Sequence, residues 1–311
     1  LDLGGKTLTN TNAGKATISV TSGTVTVKNG NVVGGTSYYN IEAKKDANLT
    51  LTDVTATAGN NGSSMIDNYG TLTITSGTYT GGLDTVKNEP SAKLNITGGT
   101  FTLTKGNSDG FTGVVFNYGE LTISGGEFIQ SDKSAPYGQA QVIHTDKSGS
   151  AAPSTVITGG TFKNLCTAKT TAWVVREMNA AAGATKVSGG AFNKEVKDYY
   201  CADGFIPTKN ADGTYGVKVG KYVAEIGSKK YETLADAIRL AAKGKTITLL
   251  CDVEQNTQLS INKSITLDLN GKTIKISGYT TDRAQVSVKN NLTIQDSSEA
   301  QTGKICSDYT G

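Results

Sequence analysis

The chain has 311 residues, of which 36% are hydrophobic and 38 are glycine, and its net charge is +3. This length predicts two units or one elongated unit, and the low apolar content suits many short strands joined by polar turns. Lysine and arginine are scattered, which argues against nucleic-acid binding, and no apolar run reaches the roughly 18 residues of a membrane span. No signal peptide is visible, and Leu1-Asp2-Leu3 resembles the interior of a strand, so we interpret the chain as a fragment of a longer protein.

From residue 1 onwards, a repeat organises the first two-thirds of the chain, and its clearest copies are Asn68–Tyr79 and Asn117–Phe128. Two alternating inward positions precede a bend, usually glycine, and an aromatic residue follows it. A period of roughly 20–30 residues with strand alternation and no helical periodicity predicts an all-β fold, a right-handed parallel β-helix (solenoid), over residues 1–192. The inward pairs are Leu49/Leu51, Leu72/Ile74, Leu94/Ile96, Leu121/Ile123, Thr155/Ile157 and Thr185/Val187.

Two columns of this repeat have structural interpretations. The aromatic residues after the bend are expected to stack inside the solenoid. Asparagines before the strand (Asn68, Asn88, Asn117) are expected to form a buried ladder that satisfies turn backbone. The only histidine, His144, is placed in the same column by its spacing, so we interpret it as a rung of that ladder or an exposed turn residue rather than a general base. The expected aromatic stack is Tyr79, Phe101, Phe128 and Phe162, and Phe192 is the following inward residue of the same series.

The later part of the chain is expected to close the first β-helix and to begin a second one. Residues 193–220 are expected to cap the solenoid with a hairpin that turns at residues 210–213. Residues 221–311 then begin a second β-helix with a hairpin and a helix, Leu234–Lys243, which is N-capped by Thr233 and stopped by Gly244. The four cysteines are compatible with the disulfides Cys166–Cys201 and Cys251–Cys306 or with four free thiols, and spacing does not decide between them.

Candidate binding residues lie mainly on two longer insertions, residues 129–153 and 163–183, because such loops often carry function. Trp173, the only tryptophan, either belongs to a strand of the next coil or is an exposed aromatic platform for a sugar. The other aromatic candidates for ligand binding are Tyr38, Tyr39 and Tyr137.

Catalysis by a β-helix requires carboxylates grouped on adjacent coils. The repeat alignment shows no column with two carboxylates, so Asp67 and Asp84, which could approach across a loop, and His144 are only weak catalytic candidates. Asp53, Asp67, Asp84, Glu120 and Glu127 are not expected to converge on a metal, and neither a cofactor nor a metal is expected.

Several segments carry a family resemblance: the LDLxGKT starts at Leu1–Thr7 and Leu267–Thr273, the coil Leu121–Phe128, and the stretches Tyr199–Val217 and Glu232–Leu250. They resemble the pectate-lyase-like β-helix repeats of large adhesin-like surface proteins from gut Gram-positive bacteria. The resemblance implies a monomeric module in tandem with others, secreted or attached to the cell wall, whose partners are polysaccharides or surface glycoproteins.

Three functions remain open from the sequence. The favoured one is a non-catalytic stalk or adhesin-like module that binds glycans or proteins. The alternative is a polysaccharide lyase or glycoside hydrolase acting on polyuronates or other polysaccharides, for which Ca²⁺ would be the only cofactor to consider. An ice-binding surface, indicated by T-x-T pairs, ranks last because the threonine columns are irregular.

Overall fold

The computed structural model describes residues 1–106, 111–135, 140–167, 173–277 and 284–307. The chain is all-β with 3% helix, and its stacked parallel strands form a β-solenoid of about 10 turns, as the repeat predicts. It divides into two compact units, Leu1–Val219 and Gly220–Gly311, each with its own hydrophobic core.

The first unit is built of short strands that pair in parallel from one coil to the next, apart from a final antiparallel hairpin. Its strands are β1 (Thr7–Thr9), β2 (Ile18–Val33), β3 (Ile41–Thr57), β4 (Ile66–Asn68), β5 (Thr71–Ile74), β6 (Gly77–Thr80), β7 (Val86–Asn88), β8 (Lys93–Ile96), β9 (Thr100–Leu103), β10 (Thr112–Asn117), β11 (Glu120–Ile123), β12 (Glu127–Gln130), β13 (Ala140–Asp146), β14 (Ser154–Ile157), β15 (Thr161–Asn164), β16 (Val175–Met178), β17 (Thr185–Val187), β18 (Ala191–Phe192), β19 (Phe205–Lys209) and β20 (Tyr215–Val219).

The register of these strands confirms the inward pairs of the repeat. Leu49 pairs with Leu72, Leu72 with Leu94, and Leu94 with Leu121. The same column continues through Thr155 to Thr185. Side chains alternate between the two faces of a strand, so a column that keeps its register stays inside along the whole stack.

The predicted aromatic stack forms the inner wall beyond the bend. Tyr79, Phe101, Phe128, Phe162 and Phe192 lie ring over ring, with centroids 4.7–5.0 Å apart and interplanar angles of 5–11°. All five side chains are fully buried. The Tyr79 hydroxyl donates to the backbone oxygen of Ser76 at 2.9 Å, which satisfies the one polar group in the stack.

The bend before the aromatic position requires glycine. Gly126 has φ of +101°, a region that L side chains rarely adopt, and a Cβ there would lie 3.0 Å from the backbone oxygen of Gly99. The chain of one coil therefore passes close to the coil before it at this corner.

The asparagine ladder is also confirmed. Asn68 Nδ2 donates to Asn88 Oδ1 at 2.7 Å, and Asn88 Nδ2 donates to Asn117 Oδ1 at 2.8 Å. The ladder ends on a hydroxyl, because Asn117 Nδ2 donates to Thr155 Oγ1 at 3.0 Å. All three asparagines are fully buried, so these bonds replace those that water would otherwise make.

A 3-10 turn at Asp198–Tyr200 and the hairpin β19–β20 follow the last coil. The hairpin turns where the sequence predicts, since Asn210 N donates to Thr214 O and Gly213 has φ of +86°. Tyr215 of β20 pairs antiparallel with Phe192, so the hairpin adds to the edge of the last coil.

The second unit begins with the expected hairpin and a short helix, α1 (Leu234–Leu240). Thr233 Oγ1 accepts from Asp236 N, as the capping pattern predicts, but the helix ends at Leu240 instead of Lys243. Lys263 Nζ donates to the backbone oxygens of Arg239 and Ala241. These carbonyl groups at the C-terminal end of the helix therefore have a hydrogen-bond partner without a further helical turn. The strands are β21 (Ala224–Ile226), β22 (Lys229–Tyr231), β23 (Thr246–Leu249), β24 (Val253–Gln255), β25 (Leu259–Ile261), β26 (Ile265–Asp268), β27 (Thr273–Ile276), β28 (Val286–Val288), β29 (Leu292–Gln295) and β30 (Lys304–Ser307).

All four cysteines are free thiols in the structure. Cys166 and Cys201 are buried, and burial raises the pKa of the Cys201 thiol to about 11. Neither disulfide that the spacing allows is therefore formed in this structure.

Candidate functional site

One strand column of the first unit faces outward yet is largely buried. Strand β3 and strands β4, β7, β10, β13 and β16 stack in parallel register, with one apolar position of each strand in the core. The neighbouring position must point away from the core because side chains alternate along a strand. We call these outward residues the outer column: Glu42, Asp67, Lys87, Phe116, His144 and Arg176.

The outer column contains two adjacent carboxylates, which corrects the expectation that no aligned column would do so. Glu42 pairs directly with Asp67. The repeat alignment compared only the strand segments that follow Asn68 and its equivalents. Glu42 and Asp67 lie on the segments that precede that position, so the alignment did not include them. Glu42 is neutralised, since it accepts from Ser19 Oγ at 3.0 Å and forms an ion pair with Lys44.

Asp67 is fully buried, and neither of its carboxylate oxygens has a hydrogen-bond partner within normal distance. Burial, and secondly the charge of Glu89, raise its pKa to about 7, although the hydroxyls of Tyr39 and Tyr69 lie close enough to oppose this shift. The structure thus brings together two residues that the sequence proposed separately, Asp67 and Tyr39. Tyr38 lies beside them, with its ring centroid 4.6 Å from that of Tyr39.

Asp84 is buried next to the outer column, on the turn before β7. It accepts from Gly113 N at 2.8 Å and from Ser64 Oγ at 3.1 Å, and burial raises its pKa to about 7. Lys87, which pairs with Glu89 at 2.5 Å, interacts electrostatically with both Asp67 and Asp84. The two aspartates therefore share a cationic neighbour, and no hydrogen bond joins them.

His144 differs from both of its predicted structural roles. It pairs with Phe116 and Arg176 in the outer column, and Thr145 takes the place next to Asn117 in the ladder. The spacing is misleading by one residue because the apolar pair Val142-Ile143 aligns with Val114-Val115, and not with Val115-Phe116, which precedes Asn117. His144 is fully buried although it faces outward, and burial, then the charge of Arg176, lower its pKa to about 3, so the imidazole is neutral at neutral pH.

Rings and cations form a second, external stack over this end of the column. The ring of His144 lies 4.4 Å from Phe116 and 5.5 Å from Phe111, measured between centroids. Arg176 Cζ lies 4.0 Å from the Phe111 centroid and 5.3 Å from that of Trp173. Phe116 continues the series to Tyr118, at 4.9 Å, and Lys87 lies over the Tyr118 ring.

The two insertions form less of the projecting surface than the sequence predicts, because part of each is a strand of the solenoid. Residues 140–146 of the first insertion form β13, and residues 175–178 of the second form β16. Trp173 lies two residues before β16, so the predicted strand begins after it, and the side chain is partly exposed. Tyr137 lies outside the described residues. The external stack of rings was missed because its members come from three coils, those of β10, β13 and β16, and share no local motif.

The remaining surfaces carry weaker signals. The outward column of β5, β8, β11 and β14 runs Thr73, Asn95, Thr122 and Val156, so it is not a regular threonine array. In the second unit a groove of about 940 Å³ lies between α1 and strands β24, β27 and β30. Its Glu254 accepts from Ser277 Oγ at 2.6 Å and lies 3.4 Å from Lys275 Nζ, so its polar groups satisfy one another.

Among the described residues, no three histidine, cysteine or acidic side chains lie together in a way that could hold a metal ion. Asp53, Asp67, Asp84, Glu120 and Glu127 accordingly form no such group. In the same part of the chain, none of the helices has the length and hydropathy of a membrane span.

No family model, curated protein or solved structure matches this chain.

Proposed function

We propose that the chain is a non-catalytic module of a secreted or wall-attached bacterial surface protein, and that it binds glycans on the outer column of its first unit. The observation that carries this proposal is a series of exposed and partly exposed rings that flank the outer column among charged groups: Tyr38, Tyr39, Tyr69, Phe111, Tyr118 and Trp173. Aromatic side chains with one wet face bind the apolar faces of sugars, while neighbouring polar groups fix their orientation. A straight column of this kind fits an extended chain better than a compact ligand. The resemblance to adhesin-like repeats supports the same assignment.

Tyr69 offers the sharpest test of glycan binding. It is 39% exposed and lies beside Asp67, with Lys44 Nζ 5.8 Å from its ring centre. A glycan array should identify ligands, and Tyr69→Ala should weaken the best of them about tenfold or more, whereas Tyr69→Phe keeps most of the affinity. Val156→Ala is the control, because Val156 is equally exposed on β14. Absence of binding, or equal losses in both alanine variants, would contradict the proposal.

A second candidate is a polysaccharide lyase or glycoside hydrolase. It is favoured by one observation, the buried Asp67 carboxyl whose pKa of about 7 is that of a group able to donate a proton near neutral pH. The test is incubation with polyuronates and neutral polysaccharides, with and without Ca²⁺. Released oligosaccharides that disappear in Asp67→Asn and Asp84→Asn, but persist in Asp53→Asn, would replace the binding module by an enzyme.

A further inference from the structure

Arg176 ends the outer column in an unusual environment for a cation. Its guanidinium lies against Phe111 and Trp173, at the ring distances given above, and is partly exposed. Contacts of this kind hold the planar group in one orientation while leaving its N–H edge open. Arg176 is therefore positioned before any ligand arrives.

The donors of Arg176 lack a strong acceptor. Within the described part of the chain, its one hydrogen bond is from Nη2 to the sulfur of Met178, at 3.7 Å, and a thioether is a weak acceptor. No carboxylate in the described ranges lies within ion-pair distance of it. Asp146 acts on Arg176 only through space, and its Oδ1 is held by Lys147 N at 2.8 Å and Asn179 Nδ2 at 3.0 Å. The guanidinium thus keeps a free fork of N–H groups.

The neighbouring His144 is also unsatisfied. It pairs in register with Arg176 and is fully buried, and neither of its ring nitrogens has a hydrogen-bond partner among the residues that the structure describes. Buried polar side chains without partners are rare, and each one needs a physical reason. The rings of Phe111 and Phe116 stack on the imidazole, so His144 is the buried support on which Phe111 and Arg176 rest.

We propose that Arg176 and Trp173, supported by the buried His144, form a subsite for the anionic group of an acidic glycan, a carboxylate or a sulfate. This inference rests on the proposed glycan-binding function and specifies its ligand. The guanidinium fork pairs with two oxygens of the anion, and Trp173 covers the sugar ring that carries it. The buried His144 supports Phe111 from the inner side and does not touch the ligand. A planar fork matches both anions, so the shared chemistry defines the ligand class.

Asp146 is an acidic residue close to this subsite, since its Oδ2 lies 4.0 Å from His144 Nε2 and its charge acts on Arg176 through space. It is buried, however, and forms no ion pair with the guanidinium. Asp67 lies four strands away from Arg176 along the outer column, which is about 19 Å at the usual strand spacing. That separation is more than twice the Debye length of about 8 Å at physiological ionic strength. The subsite at Arg176 therefore lies beyond the range of the Asp67 charge.

The experiment uses the single tryptophan of the chain as its probe, because Trp173 belongs to the subsite. Trp173 fluorescence is followed during titration with a sulfated galactan, an oligogalacturonate and a neutral galactan of equal length. We expect at least one anionic chain to bind about tenfold more tightly than the neutral one, with an advantage that shrinks as salt is raised. The anionic chain with the higher affinity shows whether the subsite prefers a sulfate or a carboxylate.

Arg176→Gln should remove the preference for the anionic chain and leave the affinity for the neutral chain within about twofold. Arg239→Gln is the control, since Arg239 lies on α1 of the second unit, where it pairs with Asp236. Trp173→Phe, measured by calorimetry, provides a second variant if Arg176→Gln fails to fold, and it should weaken both chains.

Equal affinities for anionic and neutral chains, or an unchanged preference in Arg176→Gln, would overturn the subsite. If the neutral chain still binds and Tyr69→Ala weakens it, glycan binding stands without the anionic subsite. If none of the three chains and no glycan on the array binds, both proposals are wrong.

Discussion

At the scale of single residues, the outer column is unusual because it buries ionisable groups that face outward. Asp67 and His144 are both fully buried, and their pKa values move in opposite directions. A buried carboxyl resists losing its proton, while a buried imidazole resists gaining one, since each avoids the charged form. Their contributions to stability therefore have opposite pH dependence.

Asp67→Asn should stabilise the protein at alkaline pH. The folded carboxyl holds its proton up to a pKa of about 7, against an ordinary 3.8, so its contribution is full below pH 3.8 and is lost as pH rises through 7. Relative to wild type, the variant should gain about 2–4 kcal/mol in unfolding free energy between pH 4 and pH 8, measured with urea. Asp53→Asn, at an exposed position, should show no such change, and an equal response of the two variants would contradict the burial argument.

His144→Phe should protect the protein at acidic pH. The folded imidazole has a pKa of about 3 against an ordinary 6.5, so its contribution is present above 6.5 and is lost as pH falls towards 3. Phenylalanine keeps the stacking on Phe111 and Phe116 without a titrating group. Urea unfolding at pH 4 and pH 7 should show a relative gain for the variant of about 1–3 kcal/mol at pH 4. Identical acid dependence of the variant and the wild type would argue that His144 is more hydrated than the structure shows.

At the scale of elements, two internal stacks hold the coils of the first unit in register. The aromatic stack contributes apolar burial, and the asparagine ladder satisfies turn backbone between strands. Because each coil contacts mainly its neighbours, damage to one rung weakens the coils on both sides.

Phe101→Ala should cost about 3–5 kcal/mol of unfolding free energy, because it opens a cavity between Tyr79 and Phe128. Chemical denaturation provides the measurement. Val156→Ala, which truncates an exposed side chain on β14, should change stability by about 0.5 kcal/mol or less. A similar loss in both variants would show that the stack is not the main source of packing.

Asn88→Ala should cost about 2–4 kcal/mol, because it removes the central rung of the ladder and leaves buried groups of Asn68 and Asn117 unpaired. Asn95→Ala, on a partly exposed outward position of β8, is the matched control and should have little effect. Differential scanning calorimetry compares the two, and equal melting temperatures would count against a structural role of the ladder.

At the scale of the whole molecule, each unit is a stack of coils with its own core. The protection of backbone amides against hydrogen exchange should therefore depend on whether a strand has neighbours on both sides. In the second unit β29 pairs with β26 on one side, and no described strand pairs with its other side. Ile294 of β29 is 49% exposed, whereas its register partner Leu267 is fully buried. Hydrogen exchange should therefore be slower for β26 than for β29, and the reverse order would contradict a stack that ends there.

The sequence by itself determined the solenoid, its inward columns, both internal stacks, the closing hairpin and the cap of α1. These features depend on residues close together in the sequence, within one coil. Because the same residue pattern recurs in successive coils, each copy supports the prediction made from the others. The end of α1 was wrong by three residues, because the side chain that completes it, Lys263, lies a full coil away in the chain.

Only the tertiary structure decided the candidate site. Asp67, Tyr39 and Lys87 belong to different coils, as do His144, Phe111 and Arg176, and they meet because stacking places outward residues of successive strands about 4.8 Å apart. One residue of register moves a side chain to the opposite face, which is why His144 was assigned to the ladder and instead lies in the outer column. Stacking also determines burial, and burial gives Asp67 and His144 the altered pKa values that no pattern in the sequence reveals.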